Sequence, residues 1–199
     1  MSTAFILASN STARADLLRV LDYNFTVVPA NIVEPSPLPD ETPKRYLTRL
    51  ARLKAASVAA QRSRAMVLAA DTALWFPTPK TKGSVLSFIG KPGNAAAAML
   101  MLQELAGKEH IVGTGVCLIA PARARRKQRV FCAFAQARVR LRALTTNEIR
   151  AYLRRAKPWQ CAGAYALQGA GSAIIAHIHG DPSVIIGLPL SAVSRLLHV

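Results

Sequence analysis

A chain of 199 residues with 51% hydrophobic side chains can bury a sizeable core, which excludes a disordered chain and predicts one domain over residues 1–199. No apolar run approaches the roughly 18 residues of a membrane span, and the N-terminus lacks the basic region and cleavage pattern of a secretory leader, so a cytoplasmic protein with no membrane partner is expected. The 26 Lys and Arg against 10 Asp and Glu, a formal charge of +16, predict an anionic partner without saying which anion.

In chain order, Phe5 to Ala8 reads as a strand, Ser9-Asn10-Ser11-Thr12 as a turn with a helix cap, and Arg14 to Leu21 as a helix with Asp16 in its first turn. Tyr23 to Val28 reads as a second strand. A proline-rich loop from Pro29 to Pro43 carries Glu34 and leads into a long helix over Pro43 to Gln61. On that helix Leu47, Leu50, Ala51 and Val58 share a face by the three-and-four spacing, and Lys54 falls among them. An ammonium in that company either snorkels to water or points at a specific anion.

Met66-Val67-Leu68 is an apolar run short enough for a buried strand, with Asp71 at its mouth. Residues Val85 to Ile89 read as a strand, followed by Gly90-Lys91-Pro92. Asn94 caps a helix over Ala95 to Leu105 that Gly107 closes, and Ile111 to Ile119 with Val130 to Leu141 form a hairpin. Thr145 opens a further helix, with Glu148 three residues on in a capping box. A glycine-punctuated loop from Gly163 to Gly171, strands near Ala173 to Ile178 and Ser183 to Ile186, and a helix over Pro189 to Leu197 complete the chain. Strands alternating with helices at both ends predict an α/β fold with a mixed sheet.

Several features read as structural. Cys117, Cys132 and Cys161 stand singly in apolar segments, which predicts reduced core thiols. The cluster Arg123, Arg125, Arg126, Lys127 and Arg129 lies in the hairpin loop without interleaved aromatics, so it reads as a solvated loop, not as a nucleic-acid surface. Lys80 and Lys82 read likewise as solvated. His110 follows a helix end and would bond carbonyls there, while His177 and His179 would face solvent on an edge strand. Trp75 and Phe76 read as packing residues.

The strand, polar turn and helix start from Leu7 to Arg14 present free N–H groups and a positive dipole end, which suit a phosphate, with Ser9, Ser11 and Arg14 as added donors. Ordinary capping explains Ser11 or Thr12 more readily than a ligand does. With Glu34, Asp71, Lys54 and Lys91 the set becomes two carboxylates able to hold Mg²⁺ and cations able to neutralise a polyphosphate. The chemistry would be metal-assisted attack of water on a phosphoryl centre, with one carboxylate as base.

Leu7-Ala8-Ser9-Asn10-Ser11-Thr12-Ala13-Arg14-Ala15-Asp16-Leu17-Leu18 resembles the opening signature of the Maf family of nucleoside triphosphate pyrophosphatases. Asn31 to Glu34, Arg49 to Ala55, Ala70-Asp71-Thr72, Gly90-Lys91-Pro92, Ala162 to Gly169 and Gly187 to Leu190 continue the likeness in family order. The resemblance implies an elongated mixed β-sheet flanked by helices, of the Maf/ITPase-like kind, with two lobes around a central cleft. It implies cleavage of a nucleoside triphosphate to the monophosphate and pyrophosphate with Mg²⁺ or Mn²⁺, and a homodimer. The matched positions make Asp71 the general base, place Glu34 with Asp71 at the metal, and put Ser9, Arg14, Lys54 and Lys91 on the phosphate side.

The chain also departs from the family pattern. Pro-Arg-Arg is common in the family where this chain has Thr12-Ala13-Arg14, and the resemblance links Ala13, Thr72 and Gln168 to base selection. Thr72 and Gln168 resemble the branch acting on dTTP and UTP, whereas Cys161-Ala162-Gly163 and Asp181 to Leu190 resemble the branch acting on 7-methyl-GTP. The neutral amide of Gln168 suits a pyrimidine edge, whereas a cationic methylated guanine would favour a carboxylate there, so the expectation leans to the pyrimidines. Two other classes stand beside the enzyme: a basic nucleic-acid-binding module, and a regulator of cell division, since the family is also connected with inhibition of septum formation.

Overall fold

The computed structural model describes residues 4–77, 87–122 and 128–198. Six strands, β1 (Phe5–Leu7), β2 (Phe25–Val27), β3 (Met66–Trp75), β4 (Glu109–Ala120), β5 (Arg129–Leu141) and β6 (Ile175–His179), form one sheet in the order β2-β1-β3-β4-β5-β6. β1 runs parallel to β2 and β3, and the remaining pairs are antiparallel, so the sheet is mixed as expected. The helices are α1 (Thr12–Val20), α2 (Pro43–Gln61), α3 (Ala95–Leu105), α4 (Thr146–Ala156), α5 (Pro182–Ile186) and α6 (Leu190–Leu197).

The period-two alternation of β3 sorts the core onto two faces. Val67 and Ala69 pack with Ala55, Val58 and Ala59 of α2, while Ala73 and Trp75 pack with Leu47 of the same helix. Leu68 and Ala70 pack on the opposite face with Ala15 and Leu18 of α1 and Val193 and Leu196 of α6. Further along that second face, Leu74 joins Leu102 and Leu105 of α3 and Ile149 and Leu153 of α4. One face therefore carries α2, and the other carries two helical groups on either side of a cleft. β4 is covered on both sides, which explains the unbroken run of buried residues from Val112 to Ile119.

The long helix α2 follows from its sequence. Thr42 caps it by accepting from the Arg45 amide at 3.2 Å, and Pro43 stands in the first turn, where its missing N–H is harmless. It lies close enough to β4 that a side chain at Gly115 would collide with the backbone of Leu47 and Thr48. Leu47 and Leu50 are 0% and 1% exposed, so truncating either to alanine would cost about 2–5 kcal/mol.

The helices over Pro43–Gln61 and Ala95–Leu105 have the expected limits, and Thr145 and Glu148 form the expected reciprocal cap. Other expectations are corrected. Residues 183–186 belong to a helix, α5: Asp181 caps it by accepting from the Ser183 amide at 2.8 Å, and Gly187 ends it at φ +107°. The β-branched run Val184-Ile185-Ile186 suggested a strand, but an Asp-Pro start and a Gly stop outweigh propensity over so short a segment. Asp16 lies beyond the first turn of α1, because Ser11 is the cap; its carboxylate pairs with Arg19 at 2.6 Å instead. The second strand is shorter than Tyr23 to Val28, and the segment before β6 turns as a 3-10 helix over Gly169–Ile174.

Cys117 and Cys132 are register partners on β4 and β5 and are joined in a disulfide, where reduced thiols were expected; Cys161 is free. Pairing across adjacent strands brings together cysteines that look solitary in the sequence. His110 is fully buried at the start of β4 and bonds the Tyr165 hydroxyl at 2.7 Å in place of a helix-end carbonyl. His177 and His179 are exposed on edge strand β6, and Trp75 is a buried packing residue against Phe88, both as expected. Among the described residues no helix is long and apolar enough to cross a membrane. Lys80, Lys82 and four of the five basic loop residues, Arg123, Arg125, Arg126 and Lys127, lie outside the described residues, as do Val85 and Leu86; the described part of the strand expected over residues 85–89 forms only an isolated bridge between Ile89 and Leu74.

Candidate active site

The short strand β1 creates the site by stopping early. It pairs with Met66, Val67 and Leu68 of β3, the Ala8 amide donates to the Leu68 carbonyl at 2.8 Å, and the chain then turns away through Ser9 to Ser11. β3 continues for seven more residues to Trp75, so Asp71 lies within the strand and not at its mouth as the apolar run suggested. Ala69, Ala70, Asp71 and Ala73 are buried and Thr72 is half-buried, so the alternation is hard to see in such small residues. A cleft beyond the carboxyl end of a parallel strand is the usual ligand position in α/β sheets.

On the α2 face, the Lys54 ammonium pairs with Asp71 and with Glu34, the latter at 2.7 Å. Lys54 and Asp71 side chains are 14% and 11% exposed, while Glu34 is 52% exposed. The lysine among apolar neighbours is thus aimed at two carboxylates. Burial pushes the Asp71 carboxyl above the ordinary aspartate range, and Lys54 and then Arg14 oppose that rise.

On the opposite face, Arg14 ties three segments together. Its Nε donates to the Gly187 carbonyl at 2.8 Å, one terminal nitrogen donates to Ser9 Oγ at 3.2 Å, and the other donates to Thr72 Oγ1 at 3.0 Å. Burial lowers its pKa, and the charges of Asp71 and Glu34 counter that effect. Ser9 Oγ also accepts from the Ser11 amide at 3.1 Å, and Ser11 Oγ caps α1 by accepting from the Arg14 amide at 3.4 Å. Thr72 Oγ1 lies 2.8 Å from Thr114 Oγ1, and Thr114 donates to the Val184 carbonyl at 2.8 Å.

Two connected clefts border these groups. A polar one of about 470 Å³ is lined by Ser9, Glu34 and Lys54 among others. A narrower one of about 150 Å³ is lined by Thr72, Gln168, Tyr165 and Ile185 among others. Ser11, Ala13, Arg14, Lys91, Gln160 and Cys161 line both, so the two form one groove. Every residue expected at the site therefore borders this groove, apart from Asp71, which reaches it through its contact with Lys54. Lys91 is exposed on its loop, which the Gly163 amide anchors by donating to the Gly90 carbonyl at 2.9 Å.

Sequence reasoning missed Thr114 and Gln160. Thr114 carried a faint signal, a hydroxyl inside the apolar run of β4; Gln160 in its loop carried none.

Residues 4–199 match the model of a protein family described as Maf-like protein. A dTTP/UTP pyrophosphatase of Syntrophus aciditrophicus (strain SB) is 39% identical over 197 residues, covering 99% of this chain and 90% of that protein. A dTTP/UTP pyrophosphatase of Myxococcus xanthus (strain DK1622) is 40% identical, covering 98% and 91%. A 7-methyl-GTP pyrophosphatase of Nitrosospira multiformis (strain ATCC 25196 / NCIMB 11849 / C 71) is 37% identical, covering 96% and 91%. Among solved structures, the Staphylococcus aureus Ham1 protein aligns over 98% of this chain and 97% of its own with a TM-score of 0.47 at 13% identity. The match over nearly the whole length, together with relatives this similar, makes the chain a member of the Maf-like family.

Proposed function

We propose that this protein hydrolyses a nucleoside triphosphate to the monophosphate and pyrophosphate, with uracil or thymine as the preferred base. The observation that carries the reading is the Glu34–Lys54–Asp71 cluster at the polar end of a groove whose other end is walled mostly by apolar and neutral polar side chains, with Arg14 and Lys91 shared between the two ends. A nucleotide has that same division, charged at the phosphates and largely apolar at the base.

Glu34 and Asp71 are hard oxygen donors held around one ammonium, and they fit Mg²⁺ or Mn²⁺, which need only one or two carboxylates when phosphate oxygens and waters complete the shell. Glu34 and Asp71 would hold the ion, since both carboxylates meet at the Lys54 ammonium. The ion would polarise a phosphoryl oxygen and share the charge of the leaving group.

Asp71 takes a proton from the attacking water, the water oxygen forms a bond to phosphorus within the α–β anhydride, and the bridging P–O bond breaks. Its raised pKa makes Asp71 a better proton acceptor than an ordinary aspartate. Lys54 and Lys91 balance the charge that grows on departing pyrophosphate, and Ser9, Ser11 and Arg14 shape the turn that receives the phosphates. Removing one such donor costs on the order of 3 kcal/mol, about a hundredfold in rate.

The base end supports the pyrimidine reading, because the described residues lining it include the cations Arg14 and Lys91 and no acid. A cationic 7-methylguanine would meet like charge there. The 7-methyl-GTP reading draws its support from the 37% identical relative of that name. Pyrophosphate release from UTP, dTTP and 7-methyl-GTP, with Mg²⁺ or Mn²⁺ and again with chelator, tests both. Turnover of the pyrimidines that chelator abolishes is expected; a clear preference for 7-methyl-GTP would reverse the base assignment, and no turnover of any triphosphate would end the proposal.

A further inference from the structure

The hydroxyl pair at the floor of the base end has a fixed proton order. Thr114 is 0% exposed and has one hydroxyl proton, which it donates to the Val184 carbonyl at 2.8 Å. In the 2.8 Å contact between the two hydroxyls, Thr72 must therefore be the donor. Arg14 donates to Thr72 Oγ1 at 3.0 Å, and a guanidinium cannot accept. Thr72 is left with no proton to offer and one lone pair free, and it lines the cleft together with Gln168.

From this we infer that Thr114 is a positioning residue that turns Thr72 into an obligatory hydrogen-bond acceptor, and thereby selects a base by the ring N–H it presents. The inference rests on the proposed pyrimidine triphosphate activity and deepens it. The N3–H is the sole hydrogen-bond donor on the ring of uracil or thymine, so it is the group an acceptor-only Thr72 can meet. Cytosine in the same pose offers a lone pair at N3, and two lone pairs face each other with no proton between them. Leaving a buried polar group so unpaired is heavily discriminating, far more than a lost methyl contact.

The same wire holds the wall of the cleft. Val184 and Gly187, which accept from Thr114 and Arg14, flank Ile185 and Ile186, both of which line the base end. Thr114 thus orients the proton and the apolar wall through one hydroxyl without lining the cleft itself.

The test compares kcat/KM for UTP and CTP in the wild type and in Thr114→Val, Thr114→Ser and Thr72→Val, with circular dichroism as the check on folding. The wild type is expected to favour UTP by at least about tenfold. Thr114→Val frees the Thr72 proton to turn toward the base, and the ratio falls by about tenfold, chiefly through KM. Thr114→Ser restores the discrimination because it keeps the donor. A wild type that consumes UTP and CTP alike, or a folded Thr114→Val with an unchanged ratio, overturns the inference. If Thr114→Val does not fold, Thr72→Val takes its place: loss of the preference supports the acceptor role, and its retention overturns it. Absence of turnover with every triphosphate would instead count against the underlying activity, so the two failures are distinguishable.

Discussion

Asp71 and Thr72 are adjacent in the chain and lie in opposite electrostatic worlds. Asp71 faces α2, where it meets an ammonium that a half-exposed glutamate shares. Thr72 faces the α1 and α5 side, where neutral hydroxyls, a guanidinium and backbone carbonyls form a closed chain of hydrogen bonds. A strand points successive side chains to opposite faces, so a single step along β3 separates an ion-paired carboxylate from a hydroxyl held in a hydrogen-bonded chain. The difference teaches that, under the proposed function, reaction and recognition should respond to separate substitutions, because the two sets of groups lie on different faces of the sheet and are joined chiefly through Arg14.

The largest expected effect comes from the charged face. Asp71→Asn should lower turnover by about a thousandfold while leaving the melting temperature near that of the wild type, since the amide has the same shape. A variant retaining more than about a tenth of the activity would remove Asp71 from the chemistry. Lys54→Met should follow, lowering kcat/KM by about a hundredfold. Lys54 holds the Asp71 carboxyl down against the rise caused by burial. Its loss should therefore move the acid limb of the pH profile to higher pH, and an unmoved limb would show that Asp71 does not titrate in that limb.

The neutral face should show its own pH dependence, in stability and not in rate. Burial lowers the His110 pKa from 6.5 to about 4, so the folded state keeps this imidazole neutral where the unfolded chain would protonate it. The unfolded state then binds more protons below pH 6.5, and stability is lost as the pH falls from there towards 4, by on the order of 3 kcal/mol. Urea midpoints at several pH values should show this slope in the wild type and its loss in His110→Gln. Gly187→Ala should have the smallest effect, about 1 kcal/mol or a Tm lower by about 3 °C. Its φ of +107° disfavours any side chain, and a Cβ there would sit 3.1 Å from Thr72 Oγ1. If base preference survived that change while stability fell, the Gly187 contact would serve the fold alone.

Legibility in the sequence followed the range of the interactions involved. Local signals were enough for α2, α3 and the α4 cap, where the capping residue, the periodicity and the stop lie within one segment. The helix α5 carried an equally local signal, Asp181-Pro182 ahead and Gly187 behind, which β-branched propensity masked. Glu34, Lys54, Asp71 and Arg14 were legible as candidates through their odd placement and through the family resemblance. Their pairing was not, because Lys54 and Asp71 stand 17 residues apart and meet by the packing of α2 on β3. The disulfide partners were hidden for the same reason: only the β4–β5 register sets Cys117 opposite Cys132.

The amino-acid sequence by itself determined the α/β class, the caps and limits of the longer helices, and the set of side chains able to handle a polyphosphate. Tertiary structure alone decided that β1 ends early beside a longer β3, that Asp71 and Thr72 meet their partners on opposite faces of the sheet, and that Thr114 stands between Thr72 and the Val184 carbonyl. Caps and periodicities depend on residues a few positions apart, whereas sheet register and the order of a hydrogen-bonded chain depend on strands that meet only when the whole sheet has formed.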